Sequence, residues 1–308
     1  MKAEKNNSFV ILKSCKSPLQ KAIFIEDNKE KYYTVAFLGE IAGDFICVSS
    51  QIGCPEKCLF CATGDQTFIR NLTEDEIYTE LEVGVSMVEN MASDTRSKQI
   101  SIIFEGMGEA SYNIAACFSA FDKIYSVISE KYEKIIFRVS SSGNCDLCEK
   151  YKKYYLSRKD VYRYVEFQVK LSLHTPFDSE RKYLMPNVSA RFSLSTIMQS
   201  FVDLSKFLGT RLICNYVLFS YPNGQNNYSN EHAFELGKII DKENVKVTLG
   251  TYSETGKGFV SPDEKAYRSF FNYLNHKVGI ETEIIELYGQ DINAACGMLN
   301  YQCDKSVG

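Results

Sequence analysis

Short apolar runs alternate with helical patterns along most of the chain. The strand-like runs are Val35–Leu38, Phe45–Ser49, Ile100–Phe104, Ile135–Val139, Val165–Leu173, Arg211–Phe219, Val245–Leu249 and Thr282–Leu287. The predicted helices are Glu74–Met91, Asn113–Ser129, Asp146–Leu156, Ser193–Leu208, Asn230–Ile240 and Pro262–His276. Thr73 and Glu76 have the spacing of a capping box at the start of the first helix. Strand followed by helix, repeated, predicts an α/β fold with a parallel sheet, arranged as a partial (β/α) TIM-like barrel.

The length of the chain is compatible with one domain. Its 308 residues are 44% hydrophobic, enough to bury a large core. Within it we expect residues 1–44 to form an N-terminal strand or extension that packs on the barrel, and residues 45–308 to form the barrel core with a C-terminal cysteine loop. The only apolar run near the N-terminus, Phe9–Leu12, is too short for a signal or membrane segment. We therefore expect a cytoplasmic protein with no membrane partner.

The strongest chemical signal is a cysteine loop between Gly53 and Gly64. Cys54, Cys58 and Cys61 follow the spacing C-x3-C-x2-C directly after a short apolar segment. Three thiolates select an iron–sulfur cluster or zinc over hard cations, and a closed site of either kind needs a fourth ligand. The loop therefore predicts a cluster with one open position, or a zinc site completed by a remote His or Cys. Eleven cysteines in a chain without an export signal indicate reduced thiols with metal or redox chemistry.

The overall charge does not indicate a nucleic-acid-binding protein. The chain has 35 basic and 39 acidic residues, whereas most nucleic-acid binders are basic. The segment from Lys150 to Tyr164 is a local exception, because it interleaves Lys and Arg with five tyrosines. Cations there could neutralise phosphate while tyrosines stack on unpaired bases. The alternative is a solvated helix face whose tyrosines cover the core.

Polar motifs follow several of the predicted strands, where parallel strands place their binding sites. The segment Glu105–Glu109 has glycines that let the backbone approach a ligand and a carboxylate that can take an ammonium group. Ser140–Gly143 offers hydroxyls to a carboxylate or a ribose, or is simply a polar helix cap. Ser172–His174 ends the next strand, where His174 is either a structural histidine or part of the site.

On these motifs the chain resembles the RlmN and Cfr family of RNA adenine methyltransferases, a subgroup of the radical SAM proteins. The matching segments are Cys47–Cys54 with the cysteine loop that follows, Phe68–Leu72, Gly106–Glu109, Ser172–Pro176, Leu184–Pro186, Glu231–Ala233 and Asp291–Leu299. Together they extend from about residue 21 to residue 299. The paired features around Cys47 and Cys296 are the most specific of them. The resemblance implies a radical SAM barrel and C-methylation through a protein-bound methyl group.

The resemblance assigns a role to each of these cysteines. Cys54, Cys58 and Cys61 would hold a 4Fe–4S cluster whose fourth iron binds S-adenosyl-L-methionine (SAM). Cys296 would take a methyl group from one SAM, and a radical from a second SAM would convert it to a methylene radical that adds to the ring. Cys47 would then deprotonate the adduct and form a disulfide with Cys296 that releases the product. Such a relay is needed because an amidine carbon of adenine is too electron-poor to displace the methyl group itself.

The family pattern also maps SAM contacts onto this chain. They are Gly108, Glu109, Ser140, Ser172, Leu173 and His174. Where the family has an Asn-Pro loop, this chain reads Leu249–Ser253, so the ribose contact would fall to Ser253. The family's glutamate before Thr-Val, a proton acceptor, is Tyr33 here, which leaves Cys47 as the expected base.

Other departures concern the substrate. The residue after Glu109 is Ala110 instead of proline, and the family's Thr-Arg-Gly is Leu287–Gly289. The motifs also begin so early that we expect the family's N-terminal accessory domain to be lacking, and the basic C-terminal end is missing. RNA, as rRNA or tRNA, is nevertheless the expected substrate, with flavodoxin or ferredoxin as electron donor. The alternatives are the same chemistry on a free nucleotide or another small molecule, and a non-catalytic iron–sulfur or zinc protein.

The remaining cysteines have weaker signals. Cys145 and Cys148 form a C-x2-C pair without a second pair, which is more typical of structural thiols than of a zinc or auxiliary-cluster site. We interpret the others as core or surface thiols: Cys15, Cys117, Cys214 and Cys303.

Overall fold

The computed structural model describes residues 3–6, 9–26, 30–39, 43–91 and 97–300. The strands are β1 Ala3–Asn6, β2 Phe9–Lys13, β3 Leu19–Ile25, β4 Lys31–Phe37, β5 Asp44–Val48, β6 Gln51–Ile52, β7 Arg70–Asn71, β8 Gln99–Phe104, β9 Lys134–Ser141, β10 Val165–Ser172, β11 Leu212–Leu218, β12 Val245–Thr251 and β13 Thr282–Ile284. The α-helices are α1 Glu74–Met91, α2 Ile114–Ser129, α3 Asp146–Arg158, α4 Asp178–Leu184, α5 Pro186–Arg191, α6 Leu194–Phe207, α7 Asn230–Ile239 and α8 Glu264–Tyr273. Every strand and helix predicted from the sequence has a counterpart among these elements.

One sheet organises the chain, in the order β1-β2-β3-β4-β5-β8-β9-β10-β11-β12-β13. From β5 to β13 each strand is parallel to its neighbour, and helices cover the connections between them. The order has two ends, so the strands form part of a barrel and not a closed ring. The predicted partial (β/α) barrel is confirmed.

The first four strands extend this sheet in antiparallel fashion, and β4 pairs antiparallel with β5. The sequence analysis expected one N-terminal strand or extension within residues 1–44 but did not place β1, β2 and β3 individually, because their apolar runs are short or interrupted by lysines. A boundary between residues 44 and 45 remains a prediction.

The parallel strands have an apolar face and a polar face. On β10, Phe167, Val169 and Leu171 pack into the main hydrophobic core with the helices. The alternate residues Gln168 and Lys170 face the other way, where Gln168 bonds to Arg138 on β9 and Lys170 bonds to Glu105 directly after β8. Parallel strands covered on both faces are usually apolar throughout, so this polar second face is unusual and faces the inside of the partial barrel. We call this inside space the barrel lumen.

Most of the helices in the structure were predicted from the sequence. The Thr73 N–H donates to Glu76 Oε2 at 2.6 Å, and the Glu76 N–H donates to Thr73 Oγ1 at 3.2 Å, which confirms the capping box at the start of α1. The helices α4 and α5 were not predicted, because seven and six residues are too few for a periodic pattern. None of the helices in the described residues has the length and apolar character needed to cross a lipid bilayer.

The tyrosines between residues 150 and 164 mostly belong to the core. Tyr151, Tyr154 and Tyr162 are buried, and Tyr154 donates from its hydroxyl to Asp122 Oδ1 at 2.6 Å. Arg158 forms an ion pair with the same aspartate at 2.8 Å. The core interpretation therefore holds for these three tyrosines.

Candidate functional site

A sharply folded loop after β6 carries Cys54, Cys58 and Cys61. Gly53 has a φ of +76°, and a Cβ added to it would lie 2.3 Å from the backbone carbonyl oxygen of Thr67. A Cβ added to Gly64 would lie 2.1 Å from the Cys58 carbonyl oxygen. Only glycine permits both close approaches, so these two positions allow the loop to fold tightly around its thiols.

The pKa values of Cys54 and Cys58 are both raised. Burial is the largest cause that raises the pKa of Cys54 and of Cys58, and the charge of Cys61 raises both further. Thiolates packed this closely need a positive partner, as a metal centre supplies. Among the described residues, no three His, Cys, Asp or Glu side chains form a group tight enough to hold a single metal ion. Three soft thiolates on one short loop are nevertheless the donor set that holds iron–sulfur clusters.

Arg181 on α4 is a fully buried residue that the sequence analysis missed. Its Nη1 donates to the carbonyl oxygens of Ser172 at 2.9 Å and Leu173 at 2.8 Å, and its Nη2 donates to that of Ser142. The guanidinium thereby joins the ends of β9 and β10 to α4. Burial lowers the pKa of Arg181 to about 10, so it remains charged at neutral pH, and its charge lowers the pKa of Cys58. Because α4 is short and was not predicted, the sequence analysis did not indicate that Arg181 joins these strand ends.

Cys47 on β5 packs against an apolar cluster that includes Ile292, Ala294 and Leu299, which flank Cys296 in the C-terminal loop. The charge of Cys296 contributes to raising the pKa of Cys47, after burial and Glu105. Burial raises the pKa of Cys296 to about 11, and Glu105 and Lys170 act on both thiols. Cys296 is exposed at the surface of the structure. Both are free thiols, and no disulfide joins them.

The loop that carries Cys296 is attached to two other parts of the site. The Ala62 N–H donates to the Gly297 carbonyl at 2.9 Å, which links this loop to the cysteine loop. On the other side, the buried Lys21 on β3 donates from Nζ to the Leu299 carbonyl at 2.7 Å. The unpredicted N-terminal strands therefore support the C-terminal cysteine.

Tyr33 occupies the position where the family has a glutamate. It is buried on β4, and its hydroxyl donates to Asn300 Oδ1 at 2.6 Å. The Lys21 Nζ lies 4.5 Å from the centre of its ring. The Tyr33 ring thus belongs to the contact between the N-terminal strands and the C-terminal loop.

An ion pair in the barrel lumen was also missed. Lys170 Nζ on β10 lies 3.0 Å from both carboxylate oxygens of Glu105, which directly follows β8. The two side chains are only 10% and 16% exposed. Lys170 stands within the apolar run Val165–Leu173, and a charge at that position was the available signal.

Gly108 and Glu109 lie at the end of β8 beside the cysteine loop. Gly108 has a φ of +102°, and an added Cβ would lie 2.6 Å from the Gln51 Cβ. Glu109 is buried, and its Oε2 accepts from the Ser142 N–H at 2.7 Å. Its charge contributes to raising the pKa of Cys54, after burial. The carboxylate is therefore next to the predicted cluster.

Two buried hydroxyls at strand ends have no hydrogen-bond partner among the described residues. They are the Oγ atoms of Ser142, after β9, and Ser253, after β12. A buried polar atom without a partner is costly, so each marks a place for a ligand atom. The predicted Ser140 instead donates from Oγ to Glu105 Oε2 at 3.0 Å. The free hydroxyls fit a polar ligand such as SAM, with Ser142 added to the predicted contacts.

The residues at the end of β10 that were predicted to contact SAM already bond to other groups of the protein. His174 is buried with a φ of +58°, and its Nδ1 accepts from the Val217 N–H at 3.1 Å. Its ring meets Phe60 of the cysteine loop edge-on at 4.9 Å. The Leu173 side chain lies in the hydrophobic core, and its N–H and carbonyl are already hydrogen-bonded. Ser172 is half-buried, with its carbonyl bonded to Arg181.

The other cysteines do not join the site. Cys145 and Cys148 each donate from Sγ to a backbone carbonyl at 3.6 Å, and among the described residues no third ligand completes a metal group with them. Cys117 and Cys214 are buried, and Cys15 is exposed. Cys303 lies outside the described residues.

The chain is similar in sequence to curated RNA methyltransferases. The dual-specificity RNA methyltransferase RlmN of Buchnera aphidicola subsp. Schizaphis graminum is 31% identical over 279 residues, which cover 88% of this chain and 71% of the relative. The probable dual-specificity RNA methyltransferase RlmN of Endomicrobium trichonymphae is 31% identical over 278 residues, covering 88% of this chain and 73% of the relative. No family model matches the chain.

Solved structures share the fold. A radical SAM methyltransferase from Sphaerobacter thermophilus superposes with a TM-score of 0.80 at 23% identity, covering 96% of this chain and 80% of that chain. Native anSMEcpe with bound AdoMet superposes with a TM-score of 0.50 at 19% identity, covering 77% of this chain and 63% of that chain. At these identities the likeness establishes the architecture alone.

Proposed function

The chain belongs to the RlmN family of radical SAM RNA methyltransferases, and from that premise we propose that it methylates a ring carbon of adenine in RNA through a methyl group carried on Cys296. The family implies a 4Fe–4S cluster and SAM as cofactors. Cys54, Cys58 and Cys61 would hold the cluster. Glu109, Ser142 and Ser253 would contact SAM.

The observation that carries this proposal is the packing of Cys47 against the C-terminal loop that contains Cys296, because Cys47 contacts the apolar cluster that includes Ile292, Ala294 and Leu299. The charge of Cys296 also contributes to raising the pKa of Cys47. The loop of Cys296 also contacts the cysteine loop through Gly297. A non-catalytic scaffold would have no need for two thiols that converge beside a cluster site.

The residues of the chain divide the chemistry between them. Cys54, Cys58 and Cys61 would hold the cluster, which when bound would supply the one-electron reduction that cleaves SAM and starts the radical chemistry. Cys296 carries the methyl group as a thioether, loses one hydrogen atom from it, and bonds through that carbon to the ring. Cys47 takes the proton from the ring carbon. Its sulfur then bonds to the sulfur of Cys296 as the carbon–sulfur bond breaks, while its proton passes to the released carbon to complete the methyl group and a one-electron acceptor takes the unpaired electron of the adduct. A thiol reductant then returns both cysteines to the reduced state by supplying two electrons and two protons.

An RNA substrate is supported by the relatives and by the surface near the cysteine loop. Lys57 lies exposed in that loop, and Lys182 lies exposed on α4, which the loop contacts through the Leu59 N–H to the Leu184 carbonyl at 2.9 Å. Phe68 and Ile69 are exposed just before β7, at 38% and 51%. Cations and exposed apolar side chains together suit phosphates and unpaired bases. The flavodoxin or ferredoxin donor and the cytoplasmic location belong to the same proposal.

Mass spectrometry of the anaerobically purified protein tests the relay. We expect a methyl group on the peptide that contains Cys296, and its loss in Cys296→Ala. Cys15→Ala is the matched control, because it removes an exposed thiol outside the site. An unmethylated Cys296 in protein that holds its cluster and has been supplied with SAM would overturn the relay.

Nucleoside analysis of RNA from cells with and without the gene tests the substrate. We expect one methylated adenosine to disappear with the gene and to return with the intact gene, but not with Cys47→Ala. If Cys296 carries its methyl group and no modified nucleoside changes, the RNA substrate is wrong. The search would then turn to a free nucleotide or another small molecule.

A further inference from the structure

Glu56 is a buried carboxylate inside the cysteine loop, midway between Cys54 and Cys58. Only 1% of its side chain is exposed, and glutamate is almost never fully buried unless it is paired. Its Oε1 accepts from the Tyr112 hydroxyl at 2.7 Å and from Arg191 Nη2 at 2.9 Å. The chemistry proposed above gives this residue no role.

The tyrosine partner belongs to the segment that carries Glu109. Tyr112 ends the short helical turn Ala110–Tyr112, which begins directly after Glu109. Within this turn the Tyr112 N–H donates to the Glu109 carbonyl at 3.2 Å, and the Ser111 N–H donates to Glu109 Oε1 at 3.4 Å. Glu56 therefore joins the cysteine loop to the turn that helps to fix the Glu109 carboxylate.

The arginine partner is itself held in place. Arg191 is the last residue of α5, and its Nη1 donates to Asn144 Oδ1 at 3.4 Å. Its guanidinium carbon lies 5.3 Å from the centre of the Tyr112 ring. Asn144 in turn donates from Nδ2 to Ser111 Oγ at 2.8 Å, within the same helical turn. The two donors are thus connected to each other, and the carboxylate of Glu56 bonds to groups that are already ordered.

A second contact holds the same part of the loop to α5. The Pro55 carbonyl accepts from Asn187 Nδ2 at 2.5 Å, but this contact is exposed. A hydrogen bond to a charged group that is shielded from water contributes more than an exposed bond between neutral groups. Glu56 is therefore the stronger of these two attachments.

We propose that Glu56 is a positioning residue that sets where Cys54 and Cys58 lie relative to Glu109. This rests on the proposed function, in which the cysteines hold the cluster and Glu109 contacts SAM. Groups that react together must be held in a defined geometry, and a small displacement costs much of the rate. Hydrogen bonds behind the ligands of a metal centre supply this order, and their loss typically lowers affinity or activity by roughly 10- to 100-fold.

Hydrogen exchange tests the attachment of the loop. In the full chain before cluster reconstitution, we expect Glu56→Ala to accelerate exchange of the amides of residues 54–61 about tenfold, because the loop loses two buried hydrogen bonds. Glu56→Gln keeps an oxygen that can accept from both donors, so it should restore most of the protection. Tyr112→Phe removes one hydroxyl and keeps the ring. It should have a smaller effect, about threefold, and it replaces Glu56→Ala if that variant does not fold.

Binding of SAM tests the link to Glu109. Electron paramagnetic resonance of the reduced, cluster-loaded protein reports SAM as a change in the cluster signal. We expect Glu56→Ala to need about ten times more SAM than the wild type for half of this change, and Glu56→Gln to need nearly the wild-type amount. A residue that contributed only to overall stability would not change this concentration in protein that keeps its cluster.

Asp122 provides a matched control outside the site. Its carboxylate accepts from the Tyr154 hydroxyl at 2.6 Å and from Arg158 Nη2 at 2.8 Å, so it has the same types of partner as Glu56. Asp122→Ala should leave both measurements unchanged. If it changed them as much as Glu56→Ala does, a general loss of stability would explain the results and the proposal would be wrong.

The remaining outcomes also decide the proposal. It is wrong if neither Glu56→Ala nor Tyr112→Phe changes the two measurements, or if exchange becomes faster with no change in the SAM concentration. A Glu56→Gln protein as impaired as Glu56→Ala would assign the effect to the charge and refute positioning through hydrogen bonds. Neither measurement requires methyl transfer or RNA. An unmethylated Cys296 with both changes present would therefore refute the relay and leave the role of Glu56 intact.

Discussion

Lys21 donates from Nζ to the Leu299 carbonyl oxygen at 2.7 Å, across 278 positions of sequence. The same ammonium donates to the Asn293 carbonyl at 2.8 Å, so it holds both ends of the segment that contains Cys296. A single buried cation therefore connects the N-terminal strands to the loop that contains Cys296.

Replacing Lys21 with methionine should loosen this loop. Two buried carbonyls lose their donor, and we expect the free energy of unfolding to fall by about 2–4 kcal/mol. Hydrogen exchange of residues 289–299 should become faster than in the wild type, and chemical denaturation measures the stability. Lys16→Met, at an exposed position after β2, is the control and should change neither. Unaltered exchange in Lys21→Met would show that the loop is held by other contacts.

Replacing Arg181 with methionine should weaken the site at the strand ends beside the cysteine loop. The carbonyls of Ser142, Ser172 and Leu173 would lose their shared donor, at a cost of about 3 kcal/mol or more. The cysteine loop would also lose the positive charge that favours the Cys58 thiolate. We expect less iron and sulfide per chain after anaerobic reconstitution.

The neighbouring residue supplies the control for this prediction. Lys182 is exposed on α4. Lys182→Met removes a charge from the same helix without touching the strand ends, so it should bind iron normally. Equal iron content in both variants would refute the role given to Arg181.

The sequence analysis identified what is encoded locally. The order of strands and helices follows from hydrophobic period, and the start of α1 from the Thr73–Glu76 pair, because each depends on neighbours within a few residues. The cysteine loop is local too. These features were therefore predictable, and the structure bears out the fold that they imply.

The parts that were missed depend on contacts between distant segments. Nothing near Lys21 in the sequence reveals that its partners lie close to the C-terminus, and Arg181 reads as an ordinary charge in a charged stretch. Leu173, in contrast, is a residue that the sequence analysis did predict as a SAM contact. It fits the family motif, but its side chain belongs to the core and its backbone groups are already bonded, so only the structure shows how little it offers a ligand.

Gly84 lets α1 pack closely against the strand that carries Cys47. A Cβ at this position would lie 2.4 Å from Ile46 Cγ2 and 3.2 Å from Thr34 Cγ2. We expect Gly84→Ala to destabilise the protein by about 1–3 kcal/mol, although alanine favours helix by roughly 1 kcal/mol. Thermal unfolding measures this. Gly250→Ala is the control, because its Cβ would meet only Val217 Cγ2 at 3.8 Å, and it should be tolerated.

The buried His174 should make the stability depend on pH. Burial, followed by the charges of Arg181 and Lys170, lowers its pKa from 6.5 to about 3. The unfolded chain therefore binds a proton between these two pH values while the folded chain does not. Its contribution to stability is complete above about pH 6.5 and is lost as the pH falls toward 3.

Replacing His174 with asparagine should remove this dependence. Asparagine tolerates the positive φ of this position, and its carbonyl can accept from the Val217 N–H in place of Nδ1. From pH 6.5 to pH 4, we expect the wild type to lose about 3 kcal/mol more unfolding free energy than His174→Asn. Urea denaturation across that range measures the difference. His276→Asn, at an exposed position, is the control and should show the same change of unfolding free energy with pH as the wild type. If the unfolding free energy changes with pH equally in all three proteins, His174 can be protonated in the folded state.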